Sequence, residues 1–172
     1  MKQLTVLCTT LILVAGFGSQ ALAEMVGAYV IKDKKFAQKS AHNGIERALA
    51  NLSVFIRGKV RDRLRAQQRV CLRVDIALVG EDVEIACRTN GRKARSAASG
   101  TVRTIQIGNG KSALLSHKVA SSSIVQTLQQ GKTRRTATYR LGADGKTMTV
   151  DIELASDKLD TPVRYRLVYS RR

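Results

Sequence analysis

Apolar and polar residues alternate with period two along the C-terminal part of the chain, and glycine-bearing turns divide the alternation into three segments. In residues 147–155, Met148, Val150, Ile152 and Leu154 share one face, while Thr149, Asp151 and Glu153 share the other. Val163, Tyr165, Leu167 and Tyr169 repeat the pattern with Arg164 and Arg166 pointing away, and Ala137, Tyr139 and Leu141 oppose Thr136, Thr138 and Arg140. This is the signature of antiparallel strands with one wet face.

The same pattern extends upstream. Residues 26–31 predict a first strand. Val70, Leu72, Val74, Ile76 and Leu78 form one face from Arg69 onward, and Val83 and Ile85 resume it after a two-residue turn at Gly80-Glu81. Strands over 101–107, 111–119, 121–129 and 133–141 follow, with turns at Gly108-Asn109-Gly110, around 120–123 and at Gln130-Gly131. Only over 41–66 does the period become helical. Ile45, Leu49, Leu52 and Phe55 or Ile56 mark one face, continued by Val60 and Leu64, and Gly58 leaves a kinked helix and a helix-turn-helix equally open. The expectation is all-β: an antiparallel meander barrel of eight to ten strands with a helical lid or plug after the first strand. Strand–helix alternation is missing, which excludes doubly wound α/β folds.

With Gly27-Ala28-Tyr29 in the first strand, similar to the lipocalin glycine-x-tryptophan signature with tyrosine in place of tryptophan, the chain resembles the calycin superfamily of lipocalins and fatty-acid-binding proteins. In particular it resembles small secreted bacterial lipocalin-like proteins. The helical pair between the first two strands looks like the lid of fatty-acid-binding proteins. Their Arg-x-Tyr carboxylate clamp is not reproduced, because Arg164 and Arg166 alternate with inward Tyr165. The resemblance implies a barrel and an apolar ligand, without fatty-acid specificity.

The N-terminus changes the expected setting. Met1-Lys2-Gln3, an apolar run from Leu4 to Phe17 and the ending Ala21-Leu22-Ala23 read as a signal peptide over residues 1–23, leaving one domain over 24–172 in a secreted or periplasmic protein. The formal net charge is +17, of which the leader carries only Lys2. Such a balance favours anionic surfaces, or equally marks solvated outer strand faces. Arg57, Lys59, Arg61, Arg63 and Arg65 cluster around Ile56, Val60 and Leu64, with Asp62 as the nearest acid in sequence, and suggest docking on an anionic membrane.

Chemistry for catalysis is sparse. The chain has two histidines and no G-x-S-x-G turn, the acidic residues fall at turns or outward positions, and no metal-finger spacing occurs, so no catalytic residue, metal or cofactor is expected. Nucleic acid is disfavoured because Tyr139, Tyr165 and Tyr169 share parity with core residues instead of forming exposed stacking rings. Register suggests a polar row inside the barrel. If His117 shares the face of Ala113, Leu115 and Val119, it opposes Gln126, and Gln126 in turn opposes Arg135, a set suited to an anionic or carbonyl head group. The alternatives are that Leu114 points inward instead of Leu115, or that Arg135 sits at the wet rim. Tyr139, Met148, Ile152, Tyr165 and Tyr169 are the other candidate lining residues. For the mature cysteines, an oxidising compartment favours a Cys71–Cys87 bridge, but strand register puts Cys71 opposite Asn90 on the wet face and Cys87 opposite Val74 on the apolar face. The register argument predicts two thiols. The expected function is non-catalytic binding of an apolar or amphipathic small molecule; the alternative is a filled barrel that docks on anionic envelope components.

Overall fold

The structure, a computed structural model, describes residues 22–89, 91–107, 110–120 and 122–172. The leader therefore lies outside the described residues except for its last two, and so do Asn90, most of the Gly108-Asn109-Gly110 turn, and Ser121. The described residues form ten strands, with one helical pair inserted after the first: β1 (Gly27–Ile31), α1 (Lys34–Leu49), α2 (Val54–Gln67), β2 (Arg73–Val79), β3 (Asp82–Cys87), β4 (Arg92–Ala97), β5 (Arg103–Ile107), β6 (Lys111–Ala120), β7 (Ser123–Gln130), β8 (Thr133–Leu141), β9 (Thr147–Ser156) and β10 (Val163–Arg171). They form one antiparallel sheet in the order β4-β3-β2-β1-β10-β9-β8-β7-β6-β5. The sheet curls until its ends nearly meet. β4 and β5 do not pair, and the seam is bridged by the Ser99–Lys118 pair and by the Val119 amide donating to the Ala98 carbonyl at 3.0 Å.

Alternation places the core where expected. Met148, Val150, Ile152 and Leu154 of β9 and Val163, Tyr165, Leu167 and Tyr169 of β10 are all buried, while Arg164 and Arg166 project outward. Gly80 adopts φ +65° in the two-residue turn that pairs Val79 with Asp82, a conformation that favours glycine. β4, which the apolar pattern does not announce, carries Ala94 and Ser96 where larger apolar residues mark the other strands. β2 starts at Arg73, so Val70 and Leu72 precede it, and Leu78 at its end is exposed.

The helices depart from the expected bounds. α1 begins seven residues early because Asp33 caps it, its Oδ1 accepting from the Phe36 amide at 2.9 Å. The break falls between Leu49 and Val54, and Gly58 sits within α2. Arg57 holds the break by donating through Nη2 to the carbonyls of Ala50 at 2.9 Å and Leu52 at 2.8 Å. Phe55 and Ile56 do not continue the buried face. Phe55 is 94% exposed.

α1 is more wall than lid. β1 ends at Ile31, opposite Tyr169, so the first half of β10 has no strand on that side. α1 covers this edge instead. Ser40 Oγ donates to the Arg166 carbonyl at 2.9 Å and accepts from the Arg166 amide at 3.3 Å, while Arg47 donates to the Arg164 carbonyl at 3.3 Å. An uncovered edge would offer unpaired backbone groups to another strand. Gly44 permits the approach: a Cβ there would lie 2.4 Å from the Arg164 carbonyl oxygen.

Cys71 and Cys87 form a disulfide, correcting the two-thiol expectation. The β2–β3 register is as expected, with Cys87 opposite Val74. The error was to extend the strand's period to Cys71, which lies before β2 and is therefore free to approach Cys87 to a Cα separation of 5.8 Å.

Candidate functional site

The β7–β8 turn and the β9–β10 connection rise at the same barrel end as α2, and a cavity of about 330 Å³ opens between them. Its walls include Val60, Arg63 and Leu64 of α2, Thr133, Leu154, and Leu159 of the connection. Register then leads inward from this mouth. Thr133 pairs with Ser156, and two residues deeper Arg135 pairs with Leu154. The opposite end is closed by buried Met25 and by Tyr29, whose hydroxyl donates to the Met25 carbonyl at 3.0 Å.

Arg135 is the unusual group in this path. It shares the inward face of Ala137 and Tyr139, is only partly buried, and forms no ion pair among the described residues. Its neighbours are phenols. Burial raises the pKa of Tyr139 and of Tyr165, and in each case the charge and hydrogen bonding of Arg135 act in the opposite direction. The Tyr165 hydroxyl also donates to Gln68 Oε1 at 3.0 Å, and the Tyr169 hydroxyl donates to the Cys71 carbonyl at 2.8 Å. Two tyrosines of β10 thus tie the segment after α2 to the barrel interior.

The predicted polar row is half present. His117 does oppose Gln126, and Leu115, not Leu114, points inward. Gln126, however, opposes Ala137, while Arg135 opposes Leu128. The cause is the hairpin: Gln130 pairs with Thr133 across a turn made by Gly131 and Lys132, which displaces β8 by two residues from the expected register. His117 instead finds Ser96 of β4. Ser96 Oγ lies 2.8 Å from Nδ1, and Gln126 Nε2 lies 2.9 Å from Nε2. Both Ser96 and His117 are fully buried. Burial pushes the His117 pKa down to about 4, with a hydrogen bond to the Ser96 backbone and the charge of Asp82 countering it only in part. Neither Ser96 nor Gln68 was visible to sequence reasoning. The small, polar inward positions of β4 were the only available signal. Met148 and Ile152 are buried on the inward face with Tyr139, Tyr165 and Tyr169.

The basic cluster divides by role. Arg57 is committed to loop carbonyls. Glu46 of α1, not Asp62, compensates two others, lying 2.8 Å from Arg61 and 3.2 Å from Arg65. The hydrogen bond from Arg61 lowers the Glu46 pKa. Lys59 and Arg63 remain exposed, the latter at the cavity mouth. Beside them Val54 is 78% exposed and Phe55 almost wholly so. No helix among the described residues is long and apolar enough to cross a membrane.

No family model and no curated protein matches the chain. Solved structures do. The apo Caenorhabditis elegans lipid binding protein 8 aligns with a TM-score of 0.55 at 10% identity, over 87% of this chain and 96% of that one. A secretary abundant heat soluble protein from Ramazzottius varieornatus gives 0.55 at 11% identity, over 87% and 96%. A Schistosoma mansoni fatty acid binding protein in complex with arachidonic acid gives 0.50 at 12% identity, over 88% and 98%. The chain therefore shares the barrel fold of these structures, a likeness of architecture alone at these identities.

Proposed function

We propose that the protein is a non-catalytic carrier of an amphipathic small molecule with an anionic head, entering at the helical end. The observation that carries this reading is Arg135: an inward guanidinium without a carboxylate partner, flanked by Tyr139 and Tyr165, below an apolar mouth lined by Val60, Leu64, Leu154 and Leu159. A half-buried cation facing the barrel interior gains from a counter-charge, and an incoming carboxylate or phosphate supplies it with charge-assisted hydrogen bonds. Titration with a fluorescent long-chain carboxylate tests this. Arg135→Gln weakens its binding about tenfold or more, the equivalent of the ~1.5–3 kcal/mol that a charged hydrogen bond contributes. A neutral-headed analogue of the same length is unaffected. Equal affinity of the two proteins for the carboxylate refutes the assignment.

The setting we propose is the periplasm or extracellular space, supported by the leader-like N-terminus and the Cys71–Cys87 bridge. The docking surface is the exposed side of α2, with Val54 and Phe55 at its first turn and Lys59 and Arg63 further along the helix. An exposed aromatic ring with cations on the same helix suits an anionic bilayer. Binding to anionic vesicles should fall with salt and with Lys59→Gln/Arg63→Gln, and should fall at all salt concentrations with Phe55→Ser. Equal binding of wild type to neutral vesicles refutes the electrostatic part.

A further inference from the structure

At the seam the two ends of the sheet, β4 and β5, meet without a backbone ladder between them. Along it, β4 faces β6, and residues 103–107 of β5 pair only with β6 among the described strands. Three kinds of contact span it. The first is the backbone pair at Ser99 and Lys118, with the Ala98–Val119 hydrogen bond beside it. The second is an ion pair from Arg103 of β5 to Asp82 of β3 at 3.2 Å, in which Asp82 is shared with Arg95 at 3.0 Å. The third is the buried Ser96–His117 hydrogen bond, anchored behind by Gln126.

We propose that the Ser96–His117–Gln126 row is an acid-operated latch on the seam, proton uptake by His117 releasing β4 from β6. Neutral imidazole satisfies this site completely, because one nitrogen donates and the other accepts, so Ser96 and Gln126 each complete one bond. Imidazolium has two donors and no acceptor. The Gln126 amide must then turn its oxygen to Nε2, and a full charge must sit where no solvent reaches. The charged groups around it offer little compensation. Asp82 is the acid on the β3 side and already holds Arg95 and Arg103; on β8, Arg135 and Tyr139 flank Ala137, the partner of Gln126. Opening the seam exposes the ring to water at small cost, since β5 is half-exposed and the strands there share few backbone bonds. This device acts whatever the cavity holds.

Hydrogen exchange read by mass spectrometry on the mature chain tests the latch. With the ring at about 4 when closed and near 6.5 when open, the open fraction rises roughly twentyfold from pH 7 to pH 5. Amides of β4 and β6 should lose protection by that factor after correction for intrinsic exchange, while β9 and β10 do not. His117→Gln abolishes the dependence, Ser96→Ala raises exchange already at pH 7, and His42→Gln changes nothing. Unchanged seam protection in the wild type, an equal loss in β9 and β10, or the same loss in His117→Gln overturns the proposal. If His117→Gln does not fold, the wild-type imidazole resonance decides. Titration in step with the loss of seam protection supports the latch, and titration near pH 6.5 with the seam still protected overturns it.

Discussion

Two glycines within the helical pair receive the same substitution with opposite expected signs. At Gly58 a Cβ would meet nothing, so Gly58→Ala should add only the helix-propensity gain of about 1 kcal/mol. At Gly44 the same gain is available, but the methyl carbon would lie 2.4 Å from the Arg164 carbonyl oxygen and 3.1 Å from its carbon. Backbone cannot rotate aside as a flexible side chain does, so α1 must lift from β10. The move stretches the two Ser40–Arg166 hydrogen bonds and the Arg47–Arg164 bond, each contributing ~0.5–1.5 kcal/mol, and adds overpacking strain of ~1–3 kcal/mol. After subtracting the propensity gain, Gly44→Ala should destabilise by about 2 kcal/mol. With a urea slope of ~2 kcal/mol per M, its denaturation midpoint should drop by about 1 M, while that of Gly58→Ala rises by a few tenths. A Gly44→Ala midpoint equal to or above wild type would refute the account of α1 as a close-packed cover for the strand edge.

Two further tests address the core and the crosslink. Because burial holds the folded-state pKa of His117 near 4, below the ordinary 6.5, its neutral form contributes fully above pH 6.5, and that contribution is lost as pH falls toward 4. The loss totals about 3 kcal/mol, most of it between pH 7 and pH 4.5, and the difference between wild type and His117→Gln in urea midpoints at those two pH values reads that part; parallel decline in both proteins contradicts it. Reducing the Cys71–Cys87 bridge, which spans 16 residues, should cost about 3 kcal/mol and lower the thermal midpoint, and superimposable melts with and without reductant would show that the link does not constrain the unfolded chain.

The strands were legible wherever large apolar residues alternate, because each inward position of β9 and β10 carries its own hydrophobic signal. β4 was not, since its inward Ala94 and Ser96 are small or polar and its outward residues are basic. The start of α1 was signalled by Asp33 but masked by the lysines that follow it. Errors at the site came from counting across turns. One hairpin of two residues instead of none moved Arg135 from Gln126 to Leu128, and one connector mistaken for strand turned a disulfide into two thiols. The Ser96–His117 contact crosses strands that do not pair, so no local pattern encodes it.

The last strand has an unusual number of dependants. β10 is at once the neighbour of β9, the only ladder partner of β1 besides β2, and the surface on which α1 rests, through contacts such as Ser40 to Arg166, 126 residues apart. A ribosome delivers it after the other nine strands. Until those nine residues emerge, β1 has only β2 to pair with, α1 lacks the strand it covers, and the meander can form only as an open sheet. Translation stalled or clipped before Val163 therefore yields a chain lacking its keystone, with α1 exposing Ala41, Ile45 and Ala48 to chaperones and proteases.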